Sequence, residues 1–457
     1  MKKIKNIIFT LFLGLLISFS LTNFIFYSSS MSEETNHSCA SYNESSFSSN
    51  FEAYPLANFP SQNFSGNMKA KVFTNPDTAQ TAVIDYIDSA TTELAIEMYS
   101  ISSIYIMDAL HRAVNRGVDL LLIVSRKWAS AAENIYTKKA LYNLSSTFGI
   151  SVDLYYSSNQ FNFQHSKFII IDNQIVIIMS ANFAKSSLSP NPSKGNREWC
   201  IAIENSNVAN WFHNVFDNDE LIAEPYTSEP KDYDFSYDDP GSSYPAPFTT
   251  TTFTEQMTIQ TVLSPDNDLS VIRHMIQSAQ HTIDVQQMYI KKTWDSGDNT
   301  FVEELKAAVN RGVTVRVMVD PNGSGVEEII PVLLSAGMEV KYARDIGGWF
   351  DWCHNKGIIV DEGHSTVAVL ISSINWSHES VNENREAGVI VYNQNIAHYF
   401  EEVFEHDWDS GETADSTISD SSITDTPSIP VNTLEVVIMA GIVLIIGLVI
   451  QKGKKKE

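Results

Sequence analysis

The chain has 457 residues, a formal net charge of -25 and 43% hydrophobic residues. That length is too great for one ordinary core and suits two lobes of domain size. The negative charge repels polyanions at long range, which argues against broad electrostatic capture of DNA or RNA but leaves room for a small positive pocket gripping one phosphate.

In chain order, Lys2, Lys3 and Lys5 precede an apolar run over 7–27. This is the pattern of a signal peptide or signal anchor over 1–28. A polar segment, 29–68, follows. The first lobe is expected over 69–216. Residues 95–99 read as a strand, 106–115 carry helical spacing that stops at Arg116-Gly117, and 118–124 return to a strand. The stretch 217–256, acidic and rich in Tyr, Pro, Ser and Thr, reads as a connector. The second lobe, 257–408, repeats strand, helix and strand over 283–289, 301–310 and 313–319. Beyond it lie a Ser/Thr/Asp-rich stalk (409–433), an apolar run expected to be a transmembrane helix (434–451) and a Lys-rich tail (452–457). The positive-inside rule assigns Lys452, Lys454, Lys455 and Lys456 to the cytoplasm, as it does the N-terminal lysines. The expectation is therefore a membrane protein whose long middle is extracytoplasmic.

The two lobes are copies. The string Ala-Val-Asn-Arg-Gly-Val occurs at 113–118 and again at 308–313. Thr92 to Tyr99 and Thr282 to Tyr289 are also alike, both ending in Met-Tyr. Such a long period means two related units, not a short-repeat solenoid. The alternation within each predicts α/β architecture, a sheet covered by helices. The cysteines are Cys39, Cys200 and Cys353, with no CxxC pair and so no thiolate metal site. A Cys200–Cys353 disulfide is one option in an oxidising compartment.

The chemistry lies in a second repeated pattern. His165-Ser166-Lys167, four apolar residues and Asp172 are followed by Ser180-Ala181-Asn182 and Asn196-Arg197-Glu198. His354-Asn355-Lys356, four apolar or Gly residues and Asp361 are followed by Ser373-Ile374-Asn375 and Asn384-Arg385-Glu386. On an extended strand, His and Lys two apart project from one face. Two facing lobes would bring both pairs to one cleft. There a neutral imidazole can attack phosphorus, dividing one hard step into two, while a protonated imidazole serves the leaving oxygen. Two Lys and two Asn can donate to the non-bridging oxygens. Glu198 and Glu386 can each hold a ring nitrogen and fix its tautomer. Since the lysines bring positive charge, the chemistry requires no metal or other cofactor.

The His-x-Lys-x4-Asp element with its trailing Ser-x-Asn resembles the signature of the phospholipase D superfamily, over roughly residues 70–405. The resemblance implies two phospholipase D-like lobes, each a mixed sheet flanked by helices, related by a pseudo-two-fold axis with one site at their interface. It implies His165, Lys167, Asp172, His354, Lys356 and Asp361 as catalytic residues, and Ser180, Asn182, Glu198, Ser373, Asn375 and Glu386 as substrate-binding ones. It implies attack by a histidine without metal, His165 as nucleophile and His354 as acid, a pairing that pseudo-symmetry makes reversible. By their own place, Asp172 and Asp361 close strands and read as orienting the loop or partnering a neighbouring group rather than touching substrate.

The expected function is hydrolysis of phospholipid phosphodiester bonds through a phosphohistidine. An extracytoplasmic nuclease, a cardiolipin synthase-like phosphatidyltransferase and a phosphate-binding module are the competing readings. The expected partner is a phospholipid or other phosphodiester, with no obligate protein partner. Tyr99 and Tyr289 read as strand packing, with lining of the cleft as the lesser alternative. Trp349 and Trp352, just before His354, read either as contacts for an acyl chain, base or sugar or as core.

Overall fold

A computed structural model describes residues 58–190, 193–227, 245–295, 297–343 and 350–414. The chain divides between Pro55 and Leu56, and every described residue belongs to the second unit.

The first lobe runs β1 (Asn63–Asn75), α1 (Ala79–Ser89), β2 (Glu93–Met98), α2 (Ile104–Asn115), β3 (Asp119–Val124), α3 (Ala131–Phe148), β4 (Val152–Tyr156), β5 (Phe168–Ile171), β6 (Ile175–Met179), β7 (Glu198–Glu204), α4 (Ser206–Ile222) and β8 (Glu224–Pro225). The second runs β9 (Thr251–Ser264), α5 (Asp268–Ser278), β10 (Thr282–Gln287), the small hairpin β11 (Thr293–Trp294) and β12 (Gly297–Asp298), α6 (Thr300–Asn310), β13 (Thr314–Val319), α7 (Val326–Ser335), β14 (Glu339–Tyr342), β15 (Lys356–Val360), β16 (Ala368–Ser372), α8 (His378–Asn382), β17 (Glu386–Tyr392), α9 (Gln394–Ser410) and β18 (Glu412–Thr413).

One mixed sheet of 16 strands spans both lobes. Outward from its middle, the order β1-β7-β6-β5-β2-β3-β4-β8 on one side matches β9-β17-β16-β15-β10-β13-β14-β18 on the other. β1 and β9 pair antiparallel, with Asn63 opposite Gln260 and Val72 opposite Thr251. That pairing relates the lobes by the expected pseudo-two-fold.

The alternation of side chains along each strand makes the layers. Phe168 and Ile170 of β5 join Trp199, Ile201 and Ile203 of β7 in a core shared with α4, α9 and both lobes. Ile169 and Ile171 face the other way, into a core with α1, α2 and α3. A third core does the same for the second lobe. Asn205 and Asn393 cap α4 and α9 by accepting from backbone N–H groups of the first turn, the usual work of an N-cap. Gly357 is required where the lobes meet: a Cβ there would stand 2.4 Å from the Trp199 ring. Trp199 in turn packs on Phe400 at 4.8 Å between ring centroids. Truncating such a buried tryptophan to alanine typically costs about 3–5 kcal/mol.

Several expectations are corrected. Among the described residues no helix is long and apolar enough to cross a membrane, which overturns the expectation of a membrane-spanning protein with an extracytoplasmic middle. The apolar runs at 7–27 and 434–450, on which it rested, lie outside the described residues. Cys200 and Cys353 are both buried and free, not joined to each other. The lobes also reach beyond 69–216 and 257–408. β1 begins at Asn63, α4 continues to Ile222 and β9 begins at Thr251. The polar start of β1 is a strand because β9, from the other half of the chain, supplies its hydrogen-bond partners.

Candidate active site

Each lobe delivers its histidine to its neighbour. His165 lies on the extended segment before β5, where Gln164 bridges Arg385 and the His165 N–H donates to the Arg385 carbonyl at 2.8 Å. Reciprocally, Arg197 bridges Cys353, and the His354 N–H donates to the Arg197 carbonyl at 3.1 Å. The side chains follow. His165 Nδ1 lies 2.7 Å from Oε2 of Glu386. His354 Nδ1 lies 2.8 Å from Oε1 of Glu198 and 3.0 Å from its Oε2. Both glutamates are fully buried. With Nδ1 so engaged, Nε2 is the free nitrogen of each ring.

The glutamates are themselves held. Ser180 donates to Glu198 at 2.6 Å. Ser373 donates to Glu386 at 2.6 Å, and Ser380 and Asn384 donate to its other oxygen. Lys167 and Lys356 are fully buried, and each donates back to the carbonyl of its own histidine. His165, His354, Asn182, Asn375, Tyr99, Tyr289 and Lys291 line one cleft of about 480 Å3. It adjoins a channel of about 710 Å3, also lined by His354 and Asn182 and flanked by Tyr136 and Trp352. Oδ1 of Asn182 and of Asn375 is buried without a partner.

Burial sets the electrostatics. It is the largest influence on His165; Glu386 opposes it, Lys167 and Lys356 add to it, and the imidazole is pushed down to about 4. Burial likewise lowers His354, against Glu198. Lys167 is pushed down to about 7 and Lys356 to about 8, in both cases chiefly by burial. Burial works to raise Glu198 and Glu386, but the facing histidines and lysines and the serine donors outweigh it, and both stay below the usual carboxylate range. Two ammonium groups thus balance two carboxylates around neutral imidazoles. A phosphodiester adds one negative charge, and one proton taken up by an imidazole restores the balance. Buried charge demands that compensation.

Ten of the twelve residues expected at the site meet here: His165, Lys167, Ser180, Asn182, Glu198, His354, Lys356, Ser373, Asn375 and Glu386. Asp172 and Asp361 do not. Each sits past the far end of its strand, seven residues and about 23 Å of extended chain from its histidine. Asp172 accepts from the backbone N–H groups of Thr91, Thr92 and Glu93. Asp361 does the same for Gln280, His281 and Thr282. Both have positive φ, near 51°. They fasten strand ends.

Sequence reasoning missed the clamps beneath the site. Arg197 is bidentate to Asp407 at 2.8 and 2.9 Å and donates to Asp77 at 2.8 Å. Arg385 is bidentate to Asp219 at 2.7 Å and also pairs with Asp266. Each clamp crosses the lobe boundary. A signal was present: Asp77 and Asp266, and Asp219 and Asp407, recur at the offset of the histidine motifs. Tyr99 and Tyr289 line the cleft and are more than strand packing, Tyr99 with its ring edge-on to His165 at 5.0 Å. Trp352 is 38% exposed and lines the channel, while Trp349 lies outside the described residues. Among the described residues one group has the spacing of metal ligands, Asp295, His378 and Glu383. None of the three is among the residues that line the cleft.

Fold and site together place the chain in the phospholipase D superfamily. The family described as "Cardiolipin synthase, PLD-like domain" matches residues 83–220 and 272–408, more than half of the chain, and the chain belongs to it. The mitochondrial cardiolipin hydrolase of Canis lupus familiaris is 33% identical over 104 residues, 22% of this chain and 36% of that relative. The chain therefore spans little more than a third of the length of that relative. The crystal structure of phosphatidylserine synthase from Haemophilus influenzae Rd KW20 matches 75% of this chain and 87% of its own, with 14% identity and a TM-score of 0.56, a likeness of fold alone. Nuc from Salmonella typhimurium, titled a phospholipase D family member, matches 35% of this chain and 98% of its own at 28% identity, with a TM-score of 0.31.

Proposed function

We propose that the protein is a phospholipase D-type hydrolase that cleaves phospholipid phosphodiester bonds through a phosphohistidine at His165, with His354 as proton donor. The observation that carries this reading is the pair of histidines on one cleft, each braced at Nδ1 by a glutamate of the opposite lobe. Nε2 of His165 attacks phosphorus, the bond to the alcohol oxygen breaks, and protonated His354 gives that oxygen its proton. Water then attacks the phosphohistidine and passes a proton to His354. The P–N bond breaks, and His165 leaves with its electron pair. Lys167, Lys356, Asn182 and Asn375 supply positive charge and polar groups around the phosphoryl oxygens as charge shifts onto them.

The two halves are not equal, and the difference supports the assignment. Glu386 accepts from Ser373, Ser380 and Asn384 besides His165. Among the described residues Glu198 has Ser180 besides His354, and both its oxygens face the ring. A carboxylate with more donors leaves less charge for its imidazole. His165 thus stays neutral and nucleophilic, and His354 takes the proton more readily. For substrate, the aromatic Tyr136 and Trp352 beside the channel suit an apolar molecule, and the net charge of -25 opposes a nucleic acid strand. The name of the canine relative points the same way.

The test is product identification. The full chain is incubated with phosphatidylcholine, phosphatidylglycerol and single-stranded DNA, with EDTA present and glycerol added. Phosphatidate and free head group are expected. Cleavage of DNA alone would move the assignment to a nuclease, and phosphatidyl transfer to glycerol to a transferase. The role assignment is tested with bis(p-nitrophenyl) phosphate, whose p-nitrophenolate leaves without a proton. His354→Ala should release a stoichiometric burst of one p-nitrophenolate and retain the p-nitrophenyl phosphoryl group on His165, whereas His165→Ala should give no burst. A burst from His165→Ala reverses the roles.

A further inference from the structure

One buried acid beneath the cleft takes no part in the chemistry above. Glu97 lies on β2 opposite Phe168, three residues past His165, and is fully buried. Its Oε2 accepts from Oγ of Ser166 at 2.6 Å and from Nε2 of Gln164. Those two residues flank His165 along the chain, so Glu97 grips the neighbours of the histidine from the face opposite its ring. Its Oε1 is buried and, among the described residues, accepts from no donor.

The second lobe shows what that oxygen faces. Gln286 lies opposite Gly357, three residues past His354, and is therefore the twin of Glu97. Its Oε1 accepts from Asn355, the twin of Ser166, at 3.1 Å. Its Nε2 donates to Oδ2 of Asp407 at 2.9 Å. The twin of Asp407 is Asp219 on α4, the carboxylate that Arg385 clamps. Where the amide carries its donor, Glu97 carries Oε1. Burial and then the charge of Asp219 push the Glu97 carboxyl well above the usual carboxylate range, against Arg385, Ser166 and Gln164.

An ionised Glu97 would face Asp219 with no proton between the two carboxylates. It would also leave Arg385 among three acids, Glu97, Asp219 and Asp266. Arg197 meets two, Asp407 and Asp77, beside the neutral amide of Gln286. Uncompensated buried charge is strongly unfavourable. One proton on Glu97 makes the two clusters alike.

We propose that Glu97 is a neutral carboxylic acid whose Oε1 hydroxyl donates to Asp219, and that this bond positions the segment bearing His165. The hydroxyl takes the place of the Gln286 amide, and a hydroxyl donating to a carboxylate makes a short bond that holds the pair closely. Glu97 is not among the residues that line the cleft. It is a positioning residue, acting through Gln164 and Ser166. The shared proton is independent of the substrate cleaved, while the positioning role rests on the hydrolase reading above.

Three measurements test it on the full chain. The first is infrared difference spectroscopy of the native protein against Glu97→Gln at neutral pH. The native protein should show a carboxylic acid carbonyl band, shifted in D2O, that the variant lacks. No loss of such a band overturns the proposal. The second is chemical denaturation of both proteins across pH. The folded state holds the proton and the unfolded state releases it. The stability this contributes is complete below the unfolded glutamate pKa of about 4.3 and is lost as pH rises from there through the higher folded value. Glu97→Gln should therefore gain stability relative to the native protein over that range. A difference that is flat in pH means an ionised Glu97 and overturns the shared proton. Neither measurement uses substrate, so both stand if the hydrolase reading fails. The third is kcat on bis(p-nitrophenyl) phosphate. Glu97→Ala should lower it roughly tenfold or more with KM little changed. Glu97→Gln keeps an acceptor for Ser166 and a donor for Asp219, and should recover most of that loss. Equal loss in both variants, or none in either, removes the positioning role.

Discussion

His165 and Glu386 stand 221 positions apart in the chain, yet Nδ1 of the one lies 2.7 Å from Oε2 of the other. His354 and Glu198 repeat the relation in reverse. Each lobe therefore carries a histidine whose orienting carboxylate belongs to its twin, and neither half alone holds a finished catalytic pair.

Glu386→Gln should keep the shape of the site and lose the charge. Glu386 works to raise His165, so its neutral replacement lowers that imidazole further. The acid limb of kcat/KM should move to lower pH, a shift that mere loosening of the fold would not produce. Because His165 must be oriented to attack, kcat should drop about 100-fold or more. Steady-state kinetics across pH on bis(p-nitrophenyl) phosphate read both effects.

The pH profile of the native enzyme should be bell-shaped. Below about 4 His165 is protonated and cannot attack; on the alkaline side His354, itself lowered by burial, loses the proton it donates, and above about 7 Lys167 loses the charge that holds phosphate. Bound phosphate favours the charged lysine, so the alkaline limb of kcat should lie above that of kcat/KM. Lys167→Met removes a cation that lowers His165, and the imidazole should titrate at higher pH than in the native protein. NMR titration of the His165 ring checks the sign.

The two clamps should govern stability. Arg385 and Asp219 are bidentate and buried, as are Arg197 and Asp407. Asp219→Ala leaves a guanidinium buried without its main partner, which typically costs about 3–5 kcal/mol. The double variant Asp219→Leu with Arg385→Met should recover much of that loss. Chemical denaturation of both variants checks this. A double variant no more stable than Asp219→Ala would mean that the charges are not the source of the loss.

Asp172→Asn should weaken the fold and spare the chemistry. Its carboxylate gathers three backbone N–H groups at the far end of β5. Losing that cap should cost about 1 kcal/mol. Its pKa is depressed, because backbone and threonine donors outweigh burial. The stability it contributes is complete above the unfolded aspartate pKa of about 3.9 and is lost as pH falls through its lower folded value. Thermal melts at neutral and acid pH, with kcat measured well below the melting temperature, separate the two effects. A large loss of kcat in fully folded protein would return Asp172 to the site.

Much of this was legible in the chain because it is local or repeated. Apolar alternation marks the strands, and the histidine motifs announce the duplication. Repetition also misled. Aligning Met98-Tyr99 with Met288-Tyr289 pairs the halves one residue out of register. In the sheet Leu94 lies opposite Ile171 and Ile283 opposite Val360, which makes Met288, not Tyr289, the twin of Tyr99. A one-residue slip sends every side chain to the other face, and only hydrogen bonding fixes it. Asp172 shows the converse. Its place in a motif suggests chemistry, while its place at the close of an extended strand, far from the histidine, reads as structural, and its backbone donors agree.

The sequence by itself determined which groups are present, two imidazoles, two ammoniums and two carboxylates, and that a duplicated α/β unit presents them twice. The tertiary structure decided their partnership. The β1–β9 pairing sets the lobes about a two-fold, and each histidine takes its carboxylate from across it. That choice depends on contacts between residues far apart in the chain, which local spacing does not encode.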